Sequence, residues 1–173
     1  MDIVFLGDSI TEWWNMAPYS QYNIRNYGVR GHTTKDLLSG IISNRIEIQN
    51  PKHIVVLIGT NNADYSDPPS DVVSDIQAIL NFLPTVSPNS QIILFGWLPR
   101  SENPGDPYRT FVTNVNLLLA NTTFHPLIKY VDVGAEFLLD SGKINQDLMW
   151  DFLHLTNSGY SILNKVISSH IVE

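Results

Sequence analysis

A serine preceded by a glycine and an acid, Gly7-Asp8-Ser9-Ile10-Thr11, closes the first apolar run of the chain. At the carboxyl edge of a parallel sheet such a serine sits at a strand-to-helix turn, where backbone N–H groups have no intrahelical partner. The segment fits two readings: a nucleophile among free amides, or an ordinary capping serine of a βα turn. It is not a P-loop, because the Gly-x-x-x-x-Gly-Lys spacing is absent, and no Gly-x-Ser-x-Gly elbow occurs anywhere in the chain. Near the other end, Asp151-Phe152-Leu153-His154 sets a carboxylate and an imidazole three residues apart. On one helical turn the two share a side, so the carboxylate can engage one ring nitrogen and leave the other as a general base. A capping Asp beside an unrelated His is the competing reading.

Two further blocks lie between them. Asn26-Tyr27-Gly28-Val29-Arg30-Gly31 follows the second strand candidate, and a glycine there offers its N–H with no side chain in the way. Gly59-Thr60-Asn61-Asn62 ends the third and presents a neutral amide donor. With the amide of Ser9, these make three donors aimed at one place, which is what a tetrahedral oxyanion needs. Each glycine alone is explained by turn chemistry; four such blocks at successive strand ends point to acyl transfer. Around them, Trp13 and Trp14 suit either an aromatic wall for an acyl group or sugar ring, or plain packing. Trp97 and Arg100, with Tyr108 and Arg109, flank a Pro-rich stretch, Leu98–Pro107, that is either a substrate-side loop or a solvated connection. His53, His125 and His170 are expected at the surface or with satisfied rings.

The elements that must position these residues alternate simply. Ile3–Leu6, His53–Gly59, Gln91–Trp97 and Ile128–Val133 are β-branched-rich and nearly continuous, as strands buried on both faces of a parallel sheet should be; Asn23–Tyr27 is a weaker candidate. Helical stripes lie between them. Leu37, Leu38, Ile41, Ile42 and Ile46 follow the caps Thr33-Thr34; Val72 to Leu83 follow Ser70; Tyr108 to Leu119 form a third; Ile162 to Ile167 follow Thr156. Strand–helix alternation of this kind predicts an α/β fold of three layers, α/β/α, as one domain over residues 1–173.

Composition narrows the function classes. The 173 residues carry 10 basic against 17 acidic side chains, a net charge of −7, with no basic run, so nucleic acid and anionic membrane surfaces are poor partners. With no cysteine, the chain has no disulfide, thiolate metal site or Cys nucleophile. No metal-ligand spacing of His and acids is present either. No stretch reaches the roughly 18–20 apolar residues of a membrane helix. The sequence as given does not start with an export signal, so it reads as soluble, with a lean towards the cytoplasm.

Taken together, GDSIT, NYGVRG, GTNN and DFLH resemble the four blocks of the SGNH hydrolases, also called GDSL esterases/lipases, from Ser9 to His154. The resemblance implies a flavodoxin-like sheet of five parallel strands between helices. It implies Ser9 as nucleophile, Asp151 and His154 as the rest of a triad, and Ser9, Gly31 and Asn61 as oxyanion donors, with no cofactor and no metal. Two positions depart from the pattern: Asn62 stands where Asp is commoner, and His32 follows the oxyanion glycine where relatives carry a polar or acidic residue. His32 is therefore a candidate pocket residue beside Trp13, Trp14, Trp97 and Arg100. The function expected is a serine esterase acting on a small-molecule ester of short chain. Carbohydrate O-deacetylase and acyl thioesterase or lysophospholipase are alternatives on the same machinery. A non-catalytic flavodoxin-like binding module is the remote one.

Overall fold

The computed structural model describes residues 2–171. Met1, Val172 and Glu173, which the expected 1–173 domain includes, lie outside the described residues. Five parallel strands, β1 (Asp2–Gly7), β2 (Asn23–Gly28), β3 (His53–Leu57), β4 (Gln91–Phe95) and β5 (Ile128–Val131), form one sheet in the order β2-β1-β3-β4-β5. The central strands are apolar on both faces because both faces are covered. Val4 and Leu6 point to a layer built from α2 (Thr34–Ile42), α3 (Pro69–Val86) and α4 (Pro107–Ala120). Ile3 and Phe5 point to the other, built from α1 (Ser9–Glu12) and α5 (Asn157–His170). Among the described residues no helix is long and apolar enough to cross a membrane.

The edge strands β2 and β5 are only half-buried, which is why their sequence pattern is weaker. β5 stops at Val131, two residues short of the expected run, because Asp132 Oδ1 turns back to accept the Gly134 N–H. Thr33 caps α2 in a reciprocal capping box with Asp36, and Thr156 caps α5. Ser70 does not cap α3. The helix starts two residues earlier than that cap would give, at Pro69 with Pro68 in the cap position, since a proline at the first position needs no N–H partner. Ile46 lies beyond the end of α2 and packs against Gly40 instead of continuing the stripe. His53 also departs from expectation: it is 2% exposed, neither ring nitrogen has a partner among the described residues, and burial holds its pKa down.

One register relation matters most for function. Gly7 pairs with Gly28 on one side and with Leu57 on the other, so β1, β2 and β3 end level. In a sheet of this order the chain winds to opposite sides after β1 and β3, leaving a crevice at their carboxyl ends. The blocks that follow β1, β2 and β3 therefore gather around it, although 52 positions separate Ser9 from Asn61.

Candidate active site

The Ser9 end of the site is built against the sheet. Asp8, not Ser9, caps α1: its carboxylate accepts the Ile10 N–H at 3.0 Å, which frees the serine hydroxyl from the capping role. A side chain on Gly7 would collide with Thr11 and with the Leu57 carbonyl, and one on Gly28 with the backbone at Glu12, so these glycines let α1 press into the strand ends. Tyr160 of α5 donates to the Ile10 carbonyl at 2.7 Å, and Asn26 of β2 donates to the Thr11 carbonyl at 2.8 Å. Asp8 is 1% exposed, and burial pushes its carboxyl up to about 6 despite the N–H of Ile10, that of Gly59 and the nearby His154.

The Asp151–His154 end is built differently. Residues 151–154 are not a helical turn, as their spacing suggests, but a tight loop with Phe152 in the left-handed region at φ 63°. Asp151 organises it. Its Oδ1 accepts the Leu153 and His154 amides at 3.1 and 2.6 Å, and its Oδ2 faces His154 Nδ1 at 2.7 Å. Burial pushes the Asp151 carboxyl up, but the His154 ring and the amides of His154 and Leu153 outweigh it, and the net direction is down. The loop is pinned by Ser101 N–H donating to the Phe152 carbonyl at 3.0 Å and by an antiparallel bridge between Met149 and Leu155. Leu98–Pro107 thus touches the site by bracing it.

The two ends meet where Ser9 Oγ lies 3.0 Å from His154 Nε2. Nδ1–H bonded to Asp151 leaves Nε2 free to accept the serine proton. Of the three expected donors, the Ser9 amide is the first of α1, where no intrahelical acceptor exists. Gly31 sits at φ 79° with open space where a side chain would be, and its N–H meets no acceptor among the described residues. Asn61 lies in a 3₁₀ turn, Thr60–Tyr65, and donates one amide N–H to the His32 carbonyl at 2.9 Å. That bond fixes the amide plane and leaves the second N–H unengaged among the described residues.

The candidate pocket residues divide. Trp13 stands at the site, its ring 4.3 Å from that of His154 and 43% exposed. Trp14 does not: it is 3% exposed, packed edge-on against Phe5, with its indole N–H donated to Asn164. Trp97 is 2% exposed and fills the space that Gly59 leaves, at φ 125°, so it has no face free for a substrate. Arg100 is likewise committed within the protein, donating to the Thr60 carbonyl at 2.9 Å and to Asp64 at 2.8 Å, which clamps the turn that carries Asn61. His32 supplies its carbonyl to Asn61 and lines a groove with Tyr27, Asp36 and Arg45 whose lining does not include Ser9. Asn62 is fully buried and bonds Thr34 twice and Asp67 once, each at 3.0 Å. An aspartate there would set a second carboxylate against Asp67, so the amide suits this chain's own neighbours. Trp150 was not apparent as a candidate; its ring stacks at 6.0 Å on His154, and its place directly before Asp151 was the one available signal.

Residues 5–162 match the model of the GDSL-like lipase/acylhydrolase family. The chain is 34% identical over 179 residues to platelet-activating factor acetylhydrolase IB subunit alpha2 of Gallus gallus, covering 99% of this chain and 76% of that protein. It is 29% identical over 174 residues to the alpha1 subunit of Rattus norvegicus, covering 97% and 74%. In fold it is similar to a GDSL-like lipase from Bacteroides thetaiotaomicron, with TM-score 0.79 and 21% identity over 98% of this chain and 87% of that one. It is also similar to an acetyl xylan esterase, with TM-score 0.80 and 16% identity over 99% and 100%.

Proposed function

Since this chain belongs to the GDSL-like lipase/acylhydrolase family, the SGNH hydrolases, we propose that it hydrolyses short-chain carboxylic esters through Ser9, His154 and Asp151. The observation that carries this reading is the continuous line from Ser9 Oγ to His154 Nε2 at 3.0 Å and from Nδ1 to Asp151 Oδ2 at 2.7 Å. Nε2 takes the serine proton as Oγ bonds to the carbonyl carbon, and Asp151 holds the ring tautomer and stabilises the imidazolium. The negative oxygen that forms rests on the amides of Ser9 and Gly31 and the side chain of Asn61, a set in which each donor is typically worth about 10²–10³ in turnover. The imidazolium then protonates the alcohol oxygen as the acyl C–O bond breaks. A water, deprotonated by the same nitrogen, attacks the acyl carbon; Ser9 leaves with the proton, and the acid is released.

A short acyl group is the reading that the curated relatives support, since their name denotes removal of an acetyl group. The test is a set of initial rates on nitrophenyl acetate, butyrate and octanoate, each against Ser9→Ala. The expected result is a Ser9-dependent rate that falls steeply with chain length. An undiminished rate in the variant removes Ser9 from the mechanism, and a rate that holds towards octanoate overturns the short-chain assignment.

A further inference from the structure

We propose that one internal water molecule binds between the ends of β1, β3 and β4, held by Asp8, Thr60 and Trp97, and that it fixes the spacing between Ser9 and Asn61. The water site stands on a cavity and its polar lining; only the positioning role rests on the acyl-transfer reading above. The cavity has about 10 Å³ and is lined by Asp8, Ile10, Leu57, Thr60, Trp97 and Leu153 among others. That is room for one water and for nothing larger. Its three polar residues are sealed from solvent, Asp8 at 1%, Thr60 at 7% and Trp97 at 2% exposure. Two of them keep a buried polar atom without a partner among the described residues: the Thr60 hydroxyl and the Trp97 indole nitrogen.

Buried polar atoms are nearly always paired, with protein or with ordered water, so two unpaired ones on a single water-sized cavity call for a common partner. Their placement supports this. Trp97 Nε1 lies against Gly59, 2.8 Å from where a Cβ on that glycine would stand. The Gly59 N–H bonds the Asp8 carboxylate, and Thr60 is the next residue in the chain, so the three groups converge at Gly59. The donors and acceptors also balance. An indole N–H only donates, so the water accepts from Trp97. Asp8 accepts the Ile10 and Gly59 amides and has lone pairs to spare, and its carboxyl, pushed up to about 6 by burial, is mainly ionised at neutral pH. The water therefore donates one hydrogen to Asp8 and the other to Thr60 Oγ1, and three bonds are the usual number for an internal water. Asp8 caps the helix that begins with Ser9, and Thr60 precedes Asn61. A water bonded to both ties the nucleophile's helix to the oxyanion turn. Arg100 already holds the backbone of that turn at the Thr60 carbonyl, and the water holds the Thr60 side chain.

The experiment is a crystal structure, at a resolution that shows ordered waters, of the wild-type protein, Thr60→Val and Thr60→Ser, with kcat and KM of each on nitrophenyl acetate. Valine matches threonine in shape and removes only the hydroxyl. One water peak is expected within hydrogen-bond distance of Asp8, Thr60 Oγ1 and Trp97 Nε1 in the wild type, kept in Thr60→Ser and lost in Thr60→Val. In Thr60→Val kcat is expected to fall about tenfold with KM little changed, and Thr60→Ser to restore most of it. No peak in the wild-type protein, or a direct protein partner for Trp97 Nε1, overturns the site. A peak that persists in Thr60→Val removes Thr60 from it. An unchanged kcat in Thr60→Val, or an equal loss in both variants, overturns the positioning role. Turnover undiminished in Ser9→Ala is a different failure: it removes the acyl-transfer reading and the positioning role with it, while the wild-type peak still decides the water site.

Discussion

Ser9 and His154 stand 3.0 Å apart but are held by unlike means. Ser9 is carried by α1, which is pressed into the level ends of β1, β2 and β3 and bonded to β2 and α5. His154 is carried by a loop that one carboxylate folds around itself, with Phe152 at a positive φ, the Ser101 amide pinning it and the Met149–Leu155 bridge closing its base. The serine side is thus part of the core, and the histidine side is a local device laid against it. A site of this kind separates two properties: damage at the strand ends strikes folding, and damage in the loop strikes chemistry.

The largest effect tests the point where the two regions meet. Ser9→Ala and His154→Ala are each expected to lower kcat by about 10⁶, while thermal melting stays within a few degrees of wild type. Asp151→Asn follows, with a loss of about 10⁴ in kcat, because the amide cannot hold the ring tautomer that the carboxylate enforces. Circular dichroism should find that variant folded; a loop variant that melted the sheet would break the distinction. Gly7→Ala is the opposite case. Its methyl meets Thr11 and the Leu57 carbonyl, so urea titration should show a loss of about 3 kcal/mol or more.

The two carboxylates sharpen the contrast through pH. Asp8 is pushed up to about 6 by burial, so between about pH 4 and 6 the folded protein holds a proton that the unfolded chain has released. Stability from this group therefore falls as pH rises through that window, by about 3 kcal/mol in all. Asp151 is shifted down, so its contribution is present above the unfolded carboxylate range and is lost as pH falls through its lowered pKa. Urea titrations at pH 4.5 and 7 should show Asp8→Asn gaining relative to wild type at the higher pH, and titrations at about pH 2.5 and 4.5 should show Asp151→Asn losing relative to wild type at the higher pH of that pair. The same sign in both variants would contradict the account. The smallest effect is Ser101→Gly. Ser101 sits at φ 70°, and glycine there should raise stability by about 0.5–1 kcal/mol, read as a small increase in melting temperature.

Much of the frame was legible along the chain, because a strand buried on both faces has to be a continuous apolar run and a helix on a sheet has to show a stripe. The edge strands were less so, since half-buried β2 carries Asn23, Arg25 and Asn26 among its apolar residues. At the site, the Gly, Ser, Asn, Asp and His types in their order are what led to the proposed chemistry. The carboxylate that caps α1 was not legible, because Asp8 and Ser9 are both good capping residues and only the fold shows which one does it.

The sequence alone determined which atoms could react and that they would stand at the carboxyl edge of a parallel sheet, because residue type sets chemistry and periodicity sets the sheet. Only the tertiary structure decided what surrounds those atoms. Trp13 and Trp14 are adjacent and identical in kind, yet one leans on His154 at the surface and the other is sealed against Phe5. Arg100 and Trp97 were chemically able to meet a substrate, and the fold uses them to hold the turn bearing Asn61. Trp150 was marked only by its place directly before Asp151 until the loop folded it onto the imidazole. The physical reason is common to all of them: burial and contact depend on neighbours distant in the chain, and no local pattern records which of several suitable side chains those neighbours will enclose.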